Sequence, residues 1–156
     1  MKRLLATTLL LCLFLTGCGQ SIPTGSTKLN ITKSTAEEIV SLLKERVSTI
    51  ENIIVYNEET DPNNSLGRPN QYTSKVNFAD SRVEQFGDSP TGGTVEVFNN
   101  ETDCKTRADY ISSLQQNMPL LGSQYIYQYK NILLRIDQEL TPTQAREYEA
   151  AFIELQ

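Results

Sequence analysis

The sequence predicts an α+β fold, an antiparallel sheet of about four to five strands with helices packed on one face. Three observations predict it. Strand-like runs follow one another closely, as hairpins require, giving the order α-β-β-β-α-β-β-α. Two helix starts carry reciprocal capping signatures, at Ser34 and Thr141. Two stretches dense in turn formers, 61–71 (DPNNSLGRPNQ) and 81–92 (SRVEQFGDSPTG), separate the early strands.

The first helix is expected after Ser34, whose hydroxyl and the Glu37 carboxylate would satisfy each other's free amides. Ile39, Leu43, Val47 and Ile50 recur at helical spacing, which carries the helix to about Glu51. Ile53–Tyr56 is β-branched and reads as a strand. Tyr72–Asp80 alternates with Val76 and Phe78 on one side, and Thr94–Phe98 is a further strand. A second helix follows Asn100, with Asp103 at the reciprocal position, Cys104, Ala108, Ile111 and Leu114 as its apolar stripe, and Met118-Pro119 as its end. Ser123–Tyr129 and Asn131–Ile136 form a hairpin about Lys130-Asn131. The last helix starts at Thr141-Pro142-Thr143-Gln144, with a threonine cap and proline at the first helical position, and buries Ala145, Tyr148, Phe152 and Leu155.

The N-terminus is a different kind of segment. Met1-Lys2-Arg3 is cationic, Leu4–Leu15 is apolar, and small residues close the run. That is the layout of an export signal. The run is too short to span a bilayer, which takes about 20 apolar residues. Leu15-Thr16-Gly17-Cys18 resembles the lipobox of bacterial lipoproteins. The resemblance implies diacylglyceryl transfer to the Cys18 sulfur and cleavage before it. Lipid on Cys18 would then hold the chain at the outer face of a membrane, since each buried methylene contributes about 0.8 kcal/mol. Gly19 is not the aspartate that retains lipoproteins at the inner membrane of many Gram-negative cells. The address implied is the outer face of the plasma membrane in a Gram-positive cell, or the outer membrane in a Gram-negative one.

Three regions follow: residues 1–17 as signal, 18–33 as lipidated cysteine and flexible tether, and 34–156 as one α+β domain. The polar tether would span roughly 20 Å as a coil, so the domain stays near the bilayer. Residues 34–156 hold 10 basic and 19 acidic side chains, a formal charge of −9. Phosphates repel such a domain, which argues against nucleic acid as a partner. Cys12 leaves with the signal and Cys18 carries lipid, so Cys104 has no disulfide partner. The chain has no histidine, which removes His-activated nucleophiles and the commonest zinc ligand. No cofactor or metal motif is present.

Several groups are candidates for chemistry or binding. The Leu66–Tyr72 stretch sets Arg68, Asn70 and Tyr72 on a loop between strands, where binding residues tend to sit. Gly67 and Pro69 also explain it as a tight turn. Tyr125, Tyr127 and Tyr129 share one strand face, either as an aromatic platform or as packing. Residues 57–64 (NEETDPNN) gather oxygen ligands, but Leu66 and Tyr72 stand where a calcium loop needs glycine and glutamate, so a solvated turn is expected. Asp80, Glu84, Asp88 and Glu96 could supply an acid/base pair, though their spacing selects no two of them. Cys104, on an apolar stripe with no histidine to act as base, is expected to pack.

Three stretches, Thr60–Asp80, Gly92–Ile111 and Tyr125–Phe152, together resemble small lipoproteins of unassigned function from Gram-positive bacteria. That resemblance implies the surface address and no catalytic residue. The expected function is a non-catalytic module of the cell envelope that binds a protein, peptide or polymer. Two other functions fit the same residues: an envelope enzyme using carboxylates, and an immunity or exclusion lipoprotein carried on a mobile element. If Cys18 is the anchor, Cys18→Ala abolishes labelling by radioactive palmitate and leaves uncleaved or released protein; normal processing and membrane retention of that variant would refute the address.

Overall fold

The structure, a computed structural model, describes residues 30–85, 87 and 89–156. The signal, Cys18, most of the tether and Asp88 lie outside the described residues. Helices α1 (Ala36–Lys44), α2 (Glu101–Asn117) and α3 (Pro142–Glu154) accompany strands β1 (Ile50–Val55), β2 (Tyr72–Asp80), β3 (Gly92–Phe98), β4 (Gln124–Tyr129) and β5 (Ile132–Asp137). The α+β class and the element order are as the sequence predicts. Every strand pair is antiparallel, and the strands lie in the order β1-β2-β3-β5-β4. No described helix is long and apolar enough to cross a membrane.

Some boundaries move. The tether, expected to reach Lys33, stops earlier: Ile31 is buried in the core and Ile31–Lys33 forms a 3-10 turn capped by Asn30. Asn131 Nδ2 donates to Thr32 O at 3.2 Å and to Phe98 O at 2.8 Å, fixing where the chain enters the domain. The cap of α1 is Thr35 with Glu38, one residue beyond the expected Ser34 and Glu37. That helix ends at Lys44 and β1 begins at Ile50, where the sequence suggested helix to Glu51 and strand from Ile53. Val47 and Ile50 are still buried, but a turn places them, with Val47 N donating to Leu43 O at 2.8 Å. Apolar spacing therefore outlasted the helix. Asn100 and Thr141 cap their helices as expected, and Gln144 completes the reciprocal bond at Thr141, but the Asp103 carboxylate accepts from the Asn100 side chain in place of its backbone amide.

The helices do not share one face of the sheet, and this corrects the expectation. Val76, Phe78, Val95, Val97, Ile132, Leu134 and Ile136 pack beneath α1 and α3. Side chains alternate along a strand, so their neighbours point the other way. There Tyr72, Phe98 and Leu133 meet Cys104, Ala108 and Ile111 of α2. Every residue of β3 is buried. A strand buried on both faces must be covered on both, and α2 supplies the second cover. Glu96 hid this from the sequence, because a lone glutamate between valines reads as solvent-facing.

Packing on the α1–α3 side includes Phe78 stacked on Tyr148, with ring centres 5.6 Å apart. Such a pair contributes about 0.5–1.5 kcal/mol beyond its buried area. Strand β1 is the exception to the double cover: only Ile50 of its six residues is buried. Its register with β2 slips between Glu51 and Ile54, where Asn52 takes a φ of 44°.

Gly93 marks a close approach of layers. A Cβ there would lie 2.6 Å from Phe78 Cζ and 2.8 Å from Arg135 O, and rigid neighbours leave it no room. Gly93→Ala is expected to cost about 1–3 kcal/mol of stability in urea denaturation, as overpacked cores do; an unchanged midpoint would contradict this packing.

Candidate functional site

The loop between β1 and β2 carries the most organised polar cluster, and Asp61 is its centre. The Asn57 side chain starts it, accepting from the amides of Glu59 and Thr60 at 3.0 and 2.9 Å. Asp61 then turns inward and is 5% exposed. Its Oδ2 accepts from Ser65 N at 2.9 Å, Leu66 N at 3.1 Å and the Tyr72 hydroxyl at 2.6 Å. Its Oδ1 accepts from Lys75 Nζ at 2.8 Å, in an ion pair buried on both sides. Burial alone would raise the Asp61 carboxyl, but Lys75, Tyr72 and the two amides outweigh it and hold the group well below the usual carboxylate range. The same burial, with Asp61 beside it, pushes the Tyr72 phenol up.

The expectation of a solvated turn at 57–64 is therefore corrected at Asp61. The remaining residues there are exposed, but this one carboxylate gathers the loop. Among the described residues no group of three or more acidic or sulfur ligands could hold a metal.

Beyond Asp61 the loop closes tightly. Gly67, with a φ of 77°, donates its amide to Tyr72 O at 2.9 Å. Gln71 N donates to Arg68 O at 3.1 Å across Pro69-Asn70, and Asn70 takes a φ of 61°. Proline followed by a left-handed asparagine is the pattern of a type II turn. Leu66 packs against the apolar cluster shared with α2, which holds the loop to that helix.

Between loop and helix lies a recess of about 360 Å³, lined by Ser65, Asn70 and Gln71 from the loop and by Asp103, Thr106, Arg107 and Tyr110 from α2. Arg107 is its fixed point. Its guanidinium lies 5.9 Å from the ring centres of both Tyr72 and Tyr110, and its Nε and Nη2 reach the Glu96 carboxylate at 3.3 Å. Arg135 Nη2 donates to the same carboxylate at 2.9 Å. Tyr110 is 55% exposed and forms an aromatic wall. Amides, hydroxyls, a carboxylate and an aromatic face can hold a polar ligand by directed hydrogen bonds and stacking.

Of the residues singled out from sequence, only Asn70 lines this recess. Arg68 is exposed on the same loop but outside the lining. Tyr72 is fully buried and acts as support, so it is corrected as a ligand contact. Tyr125 and Tyr127 are half-buried on β4, at the far edge of the sheet and beneath the α3 layer, where Tyr127 donates to Ala145 O at 3.2 Å. They belong to packing and are not brought near Asn70. The sequence missed Asp103, Thr106, Arg107 and Tyr110, although their i, i+4 spacing places Asp103 with Arg107 and Thr106 with Tyr110 on adjoining stripes of one helix.

Among the described residues, the candidate carboxylates Asp80, Glu84 and Glu96 are not brought together as an acid/base pair. Asp80 is fully buried and accepts from Tyr148 at 2.6 Å, Thr49 at 2.9 Å and Arg82 Nη2 at 2.7 Å, in the α3 layer. Glu96 lies on the opposite side of the sheet beneath α2. Glu84 is exposed. Cys104 is buried, and burial, with Glu96 and Glu101 nearby, pushes its thiol up to about 12, so it packs as an inert thiol.

Two predictions follow from these pairs. Asp61→Asn strands Lys75 in the interior and should cost about 3–5 kcal/mol, the loss typical of a broken buried pair; a loss below measurement error in urea would show that the hub is dispensable. Stability should also depend on pH at both ends. Asp61 and Asp80 are held low when folded, so the unfolded chain takes up protons first as pH falls. Their contribution is whole at neutral pH and is lost as pH drops through about 4 towards their folded values. Cys104 acts at the other end: above about 8.5 the unfolded thiol ionises first, and stability declines. A urea midpoint that stays flat from pH 3 to 7 would contradict the carboxylate pairs.

No protein-family model, no curated protein and no solved structure matches the chain.

Proposed function

We propose that this chain is a lipid-anchored, extracytoplasmic lipoprotein whose domain is a non-catalytic binding module of the cell envelope. The observation that carries the proposal is Leu15-Thr16-Gly17-Cys18 placed directly after a cationic and then an apolar run. An aliphatic residue, two small ones and a cysteine at that position suit acylation of the sulfur and cleavage before it. The partner bilayer is held through acylated Cys18. The small-lipoprotein resemblance of the domain favours the same address.

Three features of the domain support binding over turnover. The buried carboxylates Asp61, Asp80 and Glu96 are each occupied by a paired cation and are not free to face a substrate. The thiol of Cys104 is buried and raised. The recess beside Asn70 is walled by hydrogen-bonding groups on a loop and a helix that Asp61 and Leu66 hold in place. A preformed site of this kind binds with little ordering cost. Its occupant is an envelope protein, peptide or polymer.

A photo-crosslinking residue at Thr106, introduced in the lipidated chain in intact cells, tests this reading. It should trap one envelope component, and Asn70→Ala with Tyr110→Ala should reduce the yield about tenfold, as expected when two site contacts are lost. Crosslinks that persist unchanged in that double variant would remove the recess from the proposal. Turnover of an envelope substrate by the pure chain would replace binding with catalysis.

A further inference from the structure

Strand β1 closes one side of the sheet, and nothing described pairs with its outer edge. Tyr56 N donates inward to Lys75 O at 3.1 Å, so by alternation the Val55 amide and carbonyl point outward. Ile53, Ile54 and Val55 are 36%, 36% and 48% exposed. The opposite edge strand, β4, differs: Tyr125, Tyr127 and Tyr129 pack on one core and Ile126 on the other. Edges are ordinarily blunted by lysines, prolines or a covering element. On β1 there is neither lysine nor proline, and the bulge at Asn52 guards one end alone. Ile54 and Val55 return to regular register with Asn77 and Val76.

Charge says what kind of strand fits. From Val47 to Gly67 the sequence contains no lysine or arginine. Glu51 at one end of β1, and Glu58 and Glu59 beyond the other, are exposed. The nearest cation on β2, Lys75, is buried and held by Asp61. A second copy paired on this edge would set the carboxylates of both chains along one seam, with no cation from either stretch to offset them. We propose that the β1 edge is a strand-addition site for an extended segment of another polypeptide that alternates apolar with lysine or arginine side chains. Backbone hydrogen bonds to the outward groups of β1 would hold the segment. On one face of the sheet its apolar side chains would cover Val55, and on the other its cations would meet Glu51, with Glu58 and Glu59 just beyond the end of β1. This surface is separate from the recess beside Asn70, and neither site requires the other.

The probe is a synthetic decapeptide alternating valine and lysine, added to the full chain in neutral detergent micelles, with amide hydrogen exchange followed across residues 51–56. The peptide should slow exchange at Val55. The same peptide N-methylated at alternate residues, which cannot complete the ladder, should not, and nor should a version with glutamate in place of lysine. Replacing Glu51, Glu58 and Glu59 together by lysine should weaken binding about tenfold, the sum of three exposed ion pairs. Those surface changes leave the fold intact, so the result does not depend on whether Val55→Pro, the direct block of the edge, still folds. Exchange unaltered at millimolar peptide, equal slowing by the N-methylated peptide, or concentration-dependent slowing without peptide would each overturn the proposal, the last in favour of self-pairing.

Discussion

Among the described residues three carboxylates lie in the interior, and a carboxylate buried there needs a cation and hydrogen-bond donors around it. Meeting that demand ties each covering layer to the sheet. Asp80 joins the end of β2 to Tyr148 of α3, to Thr49 ahead of β1 and to Arg82. Glu96 joins β3 to Arg107 of α2 and Arg135 of β5. Asp61 joins the long loop to Tyr72 and Lys75 of β2. Apolar contacts supply the cohesion of the three layers, but they are not directional. The carboxylates fix which residue of each layer meets which strand, because a shift of one position would leave a charge buried alone.

The loop from Asn57 to Gln71 shows the effect most clearly. Few of its amides have a strand or helix partner, Gly67 N donating to Tyr72 O being one, and a loop of that length would otherwise carry the rest to water. Asp61 takes three of those amides, from Asn63, Ser65 and Leu66, the Tyr72 hydroxyl takes the Asn63 side chain, and Leu66 docks on the α2 cluster. The resulting shape holds Asn70 beside Arg107 and Tyr110. Arg107 in turn is held by Glu96 and lies between two tyrosine rings. The recess thus has walls that are ordered before anything enters it. It lies towards the end of the sheet where the chain enters, marked by the Thr32–Asn131 contact.

Much of the domain could be read from local signals. Thr141-Pro142 and Asn100 start helices because their side chains satisfy free amides within three residues, and the sequence shows that directly. The alternation of Val76 and Phe78 marks a strand for the same local reason. Where two local signals overlapped, the boundary went astray: Thr35 competes with Ser34 as a cap, and Val47 and Ile50 extend a helical rhythm through what is a turn. At the site, Asn70 and the tight turn around it were legible from Gly67 and Pro69. Arg107 and Tyr110 were not, because an arginine and a tyrosine on a helix look the same whether they face a loop or open water.

The sequence by itself determined the α+β class and the order of the elements, because each depends on residues within a few positions of one another. The tertiary structure alone decided that α2 covers the opposite side of the sheet from α1 and α3. It also decided that Asp61 and Glu96 are buried and paired instead of solvated, and that Tyr72 supports while Asn70 lines. Those outcomes rest on contacts such as Asp61 with Lys75, Glu96 with Arg135 and Asp80 with Tyr148. Their partners lie too far apart along the chain for any periodicity to register them, and they meet only when the strands pair.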